Sequence, residues 1–187
     1  MTDNNNIQKT TSTLTLSQRM DARKLNNNTV LLLDVSGSMY SDVEPGKSKI
    51  SALRDIVSSI PGSPVIFAFN DSTQGCTKNT VLNPCGGTKM SQALEHLKLR
   101  GHNKIIMITD GEAQDKEQTL ISAAGMSIQI LYIGAGQKPD FLDKLCTAAA
   151  NGSFATKEDL KQTKELSAKL QLLLDSGEKT KDQTICL

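Results

Sequence analysis

A chain of 187 residues is long enough for one complete α/β domain and too short for two. A net charge of +1 with no dense Lys/Arg block, and only 3% aromatic residues, leave nucleic acid without the cations and stacking platforms it needs. No apolar run reaches membrane-helix length and Met1 to Asn6 carry no apolar signal core, so a cytoplasmic protein without a membrane partner is expected.

Residues 1–27 are rich in Asn, Thr and Ser and read as a flexible extension, with Leu14, Leu16 and Met20 available to dock on a domain edge. Asn26-Asn27-Asn28 breaks the chain before a first core strand, Thr29 to Asp34. Leu31-Leu32-Leu33 is the apolar run of a strand covered on both faces. It stops at Asp34-Val35-Ser36-Gly37-Ser38, where Gly37 lets three side-chain oxygens curl toward one point. The carboxyl end of such a strand is where open α/β sheets bind ligands. A donor set of hard oxygens suits Mg²⁺ or Mn²⁺ rather than Zn²⁺.

Glu44-Pro45-Gly46 is a turn, and Ile50, Leu53, Val57 and Ile60 then recur at helical spacing, predicting a helix over Lys47 to Ile60. Gly46-Lys47-Ser48 echoes a phosphate loop, but position 41 is serine where that motif needs glycine, so nucleotide binding there is rejected. Pro64 to Phe69 predicts a second buried strand, and Cys76 to Leu82, bounded by glycine and proline, an edge strand. Gly86-Gly87-Thr88 opens a helix with Met90, Ala93, Leu94 and Leu97 inward, stopped by Gly101. Lys104 to Thr109 is another central strand and again ends at a carboxylate and a glycine, Asp110-Gly111.

Leu120, Ile121 and Ala124 mark the next helix, with Gly125 as its C-terminal cap. Ser127 to Ile133 is a strand, and Pro139 starts a helix that turns Leu142, Leu145, Cys146 and Ala149 inward. Gly152 to Ala155 is a short final strand. Leu166, Leu170, Leu173 and Leu174 line a closing helix, Lys157 to Leu174, whose other face is Lys- and Glu-rich. Strands alternating with helices require mostly parallel pairing in a doubly wound three-layer α/β sandwich. The outline is Rossmann-like, without a G-x-G-x-x-G after the first strand.

D-x-S-x-S at Asp34 to Ser38, Thr88 after a glycine pair and Asp110 at a strand end together resemble the von Willebrand factor type A domain. The resemblance spans residues 28–174, between the 1–27 extension and a loose 175–187 tail. It implies a mostly parallel six-stranded sheet with one short antiparallel edge strand, third in order. It also implies a metal-ion-dependent adhesion site in which Asp34, Ser36, Ser38, Thr88 and Asp110 hold Mg²⁺ or Mn²⁺, directly or through water. The ion wants about six oxygen ligands. A protein partner's Asp or Glu would then take an exposed position, in a non-catalytic binding module. Intracellular members of that family work beside MoxR-type AAA+ ATPases or inside multi-subunit complexes, which makes such an assembly the expected setting.

Two other functions compete. A strand-end Asp with Mg²⁺ also describes haloacid-dehalogenase-type phosphatases, which resemble D-x-D-G here. Ser36 stands where the second acid would be, leaving proton transfer without an agent. The other alternative is a structural scaffold that binds through its helices or tails without metal. Taken singly, Asp34 reads as a turn cap, Asp110 as a strand-end cap and Thr88 as a helix N-cap. Asp42, Glu44, Glu112 and Asp115 read as solvated rim residues, and His96 and His102 as structural or surface groups. Cys76, Cys85, Cys146 and Cys186 have no zinc-ligand spacing and are expected as free thiols.

Overall fold

The computed structural model describes residues 29–60, 62–81 and 83–156. The expected domain boundaries at 27/28 and 174/175, the closing helix, both extensions and Cys186 lie outside them.

Strand β1, Thr29–Asp34, is the axis of the fold, and residues 30–34 are fully buried. After it come a 3₁₀ turn at Gly37–Tyr40, a hairpin of β2 (Asp42–Glu44) and β3 (Lys47–Ser48), and helix α1, Lys49–Ser59. Strands β4 (Val65–Phe69) and β5 (Thr73–Cys76) precede α2, Met90–Leu99. Then β6 (Lys104–Thr109), α3 (Lys116–Ala123), β7 (Ser127–Tyr132), α4 (Asp140–Ala148) and β8 (Asn151–Thr156) alternate. The sheet runs β5-β4-β1-β6-β7-β8, with every pair parallel except β4–β5. This is the expected mostly parallel six-stranded α/β sheet with a short antiparallel edge strand, the third of its strands in sequence.

Because side chains alternate along a strand, β1 feeds two cores at once. Val30 and Leu32 meet Met90, Ala93, Leu94 and Leu97 of α2 and Phe141, Leu142 and Leu145 of α4 on one face. Leu31 and Leu33 meet Ile50, Leu53 and Val57 of α1 on the other. An apolar run without alternation is what a strand buried on both sides requires, and β1 bears that reading out.

Three expectations need correcting. The edge strand is Thr73–Cys76 rather than Cys76 to Leu82. Asn70 Oδ1 accepts the amide of Ser72 at 3.0 Å, an Asx-type turn that sends the chain back along β4 immediately. Helix α1 begins at Lys49 because Lys47 and Ser48 pair with β2, and the Ser48 side chain caps the helix by accepting the Ser51 amide. In α3, Ile121 is 66% exposed, and the buried residues are Thr119, Ser122 and Ala123. This helix packs closely against α2 through small side chains, with the Ser122 hydroxyl donating to Glu95 at 2.8 Å.

Sequential strands go to opposite sides of β1, since α1 leads to β4 on one side and α2 leads to β6 on the other. The strand order therefore switches at the carboxyl ends of β1 and β6, the position where open α/β sheets bind ligands. Asp34 ends β1 and Asp110 follows β6 directly.

Candidate functional site

The loop after β1 is organised around the Asp34 carboxylate, which is fully buried. Its Oδ1 accepts the Ser36 amide at 3.0 Å and the Ser36 hydroxyl at 2.6 Å. Ser36 Oγ lies 3.0 Å from Ser38 Oγ, so the two hydroxyls and the carboxylate form one oxygen cluster. Gly37 opens the 3₁₀ turn, and Met39, fully buried, anchors the loop to the α1 side of the core.

The other Asp34 oxygen faces β6. The register Leu33–Ile108 sets Asp34 level with Thr109, whose hydroxyl donates to Oδ2 at 2.6 Å. Thr109 Oγ1 also accepts the Gly111 amide at 2.9 Å, holding the turn that presents Asp110. Asp110 continues the side of β6 occupied by Ile106 and Ile108, the side covered by α1. There the Lys49 ammonium meets its Oδ2 at 2.7 Å, while Oδ1 accepts the Glu112 amide at 3.3 Å. Lys49 is 6% exposed and Asp110 2% exposed, so this is a buried ion pair.

Thr88 comes in on the third loop and is 4% exposed. That loop is tied to the first by two backbone bonds, Gly37 N to Gly86 O at 3.0 Å and Cys85 N to Val35 O at 3.0 Å. Asp71 holds it from the far side by accepting the Gly87 amide at 2.8 Å. Gly86 has a φ of 69° and no room for a side chain, since a Cβ would meet Asp71 Oδ2 at 2.2 Å. The glycine pair is there to bring the three loops together.

Burial is the main force pushing the Asp34 carboxyl up, to about 6, with the Asp110 charge adding to it; the hydrogen bonds from Ser36 and Thr109 act against both. Two carboxylates that feel each other in a buried crevice are in want of cations. Lys49 is one, and the oxygens of Asp34, Ser36, Ser38, Thr88 and Asp110 are chemically fit for a hard divalent ion. No group of three or more His, Cys, Asp or Glu side chains suited to a metal exists among the described residues, so any such ion would rest on two acids and three hydroxyls.

Lys49 is the residue that sequence reading missed here, and Asp115 is the second. Rather than a solvated rim residue, Asp115 accepts the amides of Met90 and Ser91 at 3.1 and 3.0 Å and the Ser91 hydroxyl at 2.5 Å. It caps the start of α2 from another loop and fixes the end of the segment bearing Thr88. Asp115→Ala is expected to cost about 1–2 kcal/mol, as a lost helix cap does, measured by urea denaturation. Asp42, Glu44 and Glu112 are exposed, as expected of rim residues. His96 and His102 both set their rings 5.8 Å from the Phe67 ring, on the flank of the sheet. Cys76, Cys85 and Cys146 are free thiols.

The sequence matches no protein-family model and no curated protein. Solved structures share its fold. The PilB minor pilin of Streptococcus sanguinis aligns over 81% of this chain with a TM-score of 0.55 and 11% identity. An aerotolerance-related membrane protein from Bacteroides fragilis aligns over 76% of this chain and 98% of its own, at TM-score 0.52 and 12% identity. A von Willebrand factor type A protein from Catenulispora acidiphila aligns over 75% of this chain, at TM-score 0.55 and 19% identity. The chain spans 63% of the pilin and 42% of the Catenulispora protein. Among the described residues no helix is long and apolar enough to cross a membrane. Sheet order, helical layers and these neighbours agree that residues 29–156 carry the fold of a von Willebrand factor type A domain.

Proposed function

We propose that this chain is a non-catalytic, Mg²⁺-dependent protein-binding module whose metal site is formed by Asp34, Ser36, Ser38, Thr88 and Asp110. The observation that carries this reading is the clustering of the Asp34, Ser36 and Ser38 oxygens at the point where the strand order switches. When bound, Mg²⁺ or Mn²⁺ supplies a Lewis-acidic centre that attracts a partner's carboxylate. Asp34 and Asp110 provide the charge, and the three hydroxyls orient directly or through water.

Access argues for a single acidic side chain as the ligand. Asp34, Ser36, Thr88 and Asp110 are each at most 4% exposed. Gly37 is exposed and Ser38 half-buried, so the cluster opens to solvent at the tip of its first loop. An Asp or Glu projecting from a partner protein fits this opening, and an assembly around a MoxR-type ATPase or within a multi-subunit complex belongs to the same reading. Turnover is not expected. Ser36 stands where a haloacid-dehalogenase-type phosphatase would carry its second acid, and its hydroxyl is taken up by Asp34.

The test is metal-linked stability. An ion that binds only the folded state stabilises it by RT ln(1 + [L]/Kd), about 2.7 kcal/mol at a hundredfold excess. Millimolar Mg²⁺ is expected to raise the melting temperature, and chelator to reverse the rise. Asp34→Ala should abolish the response, whereas Thr88→Ala should weaken it less, because water can replace a neutral hydroxyl. Equal responses in wild type and Asp34→Ala would place the ion elsewhere.

A further inference from the structure

We propose that Lys49 is the resident counter-ion of this site, and that divalent binding moves its ammonium from Asp110 to Glu112. The inference rests on the metal-binding reading above and adds the residues that set its affinity. Lys49 is the first residue of α1, where the positive end of the helix dipole disfavours a cation. It is held there by burial against Asp110, with side chains 7% and 1% exposed. A second carboxylate is within reach of the same nitrogen, since Glu112 Oε1 lies 3.9 Å away with its side chain 63% exposed.

Charge decides what happens when a divalent ion arrives. Asp34, Asp110 and Glu112 beside the Lys49 ammonium leave two negative charges, which a dication balances. With Lys49 in place, however, the dication and the ammonium would compete for Asp110, whose side chain is 1% exposed. If the ammonium shifts to Glu112, already 3.9 Å away, the ion and the two aspartates balance, and Lys49 and Glu112 balance each other. The move is short because Glu112 lies two residues past Asp110 and already faces the ammonium. A lysine stem with a compact terminal charge can make it by bond rotation alone. Lys49 therefore acts as a brake on metal binding, and Glu112 as the seat that releases it.

The experiment is a Mg²⁺ titration of the full chain followed by thermal shift, paired with amine acylation of wild type mapped by mass spectrometry. Lys49→Met is expected to tighten Mg²⁺ binding about tenfold or more, since a competing charge is gone. Glu112→Gln should weaken binding in the wild-type background and have little effect beside Lys49→Met. In wild type, which needs no variant to fold, acylation of Lys49 should be slow in chelator and faster in Mg²⁺, while exposed lysines stay unchanged. Equal Mg²⁺ affinities in wild type and Lys49→Met, or Lys49 acylation indifferent to Mg²⁺ that demonstrably binds, would overturn the exchange and leave the metal site standing. No Mg²⁺ response in wild type, Lys49→Met or the acylation profile would overturn both.

Discussion

Replacing Lys49 by methionine in chelator is expected to destabilise the protein by about 3–5 kcal/mol, the usual cost of leaving one member of a buried ion pair alone. Asp110 is 2% exposed and its Oδ2 has the Lys49 ammonium at 2.7 Å, so little water can substitute. The Asp34 charge nearby makes the loss worse. Asp110→Asn should cost less, because the ammonium then has Glu112 at 3.9 Å to turn to. The double variant Lys49→Met/Asp110→Asn should recover most of the loss, since removing both charges also removes their desolvation penalty. Urea denaturation of all four proteins gives the coupling energy directly. Single variants within about 0.5 kcal/mol of wild type would mean that the pair is solvated in solution and contributes nothing.

That pair also shows where sequence reading stops. β1 could be read because Leu31 to Leu33 violate the alternation a half-exposed strand would show, and its end could be read because Asp34 follows at once. Ser36 and Ser38 were legible for the same reason, since their spacing in the chain is their spacing in the loop. Lys49 lies 61 residues from Asp110. It looks like any polar residue at a helix start, and only two weak signs single it out. A lysine in the first turn opposes the helix dipole. Asp110 also shares the alternation of Ile106 and Ile108, the face that the helix after β1 covers.

The edge strand was misplaced for a different reason. Thr73-Gln74-Gly75-Cys76 has no apolar alternation to fix its register. Its pairing with β4 is dictated by the Asn70 turn, a local hydrogen bond and not a hydrophobic pattern. Ile121 failed as a core residue because α3 is packed through Thr119, Ser122 and Ala123, whose small side chains carry little weight in a periodicity. Asp115, like Lys49, acts across a loop crossing that only the assembled sheet creates.

The pH dependence of the metal-free protein should carry the signature of Asp34. Burial raises its carboxyl from the ordinary 3.8 to about 6, with the charge of Asp110 contributing in the same direction. A folded pKa above the unfolded one means the folded state holds the proton more tightly. The stability it gives is fully present below about pH 3.8 and is lost as the pH rises through about 6, beyond which the contribution is level. A shift of this size corresponds to ~3 kcal/mol, at 1.36 kcal/mol per unit. Ionisable groups elsewhere on the protein add their own pH dependence, so total stability is the wrong observable. The difference between wild type and Asp34→Asn isolates the group, because asparagine retains the shape and an acceptor for Ser36. Measured in chelator from pH 4 to 7.5, wild type should lose stability relative to Asp34→Asn by up to ~3 kcal/mol, most of it before pH 6.5. In saturating Mg²⁺ the trend should flatten or reverse, because a bound cation favours the ionised carboxylate. A difference that is flat in chelator would show that Asp34 ionises as easily folded as unfolded, and that the crevice is wetter than its geometry implies.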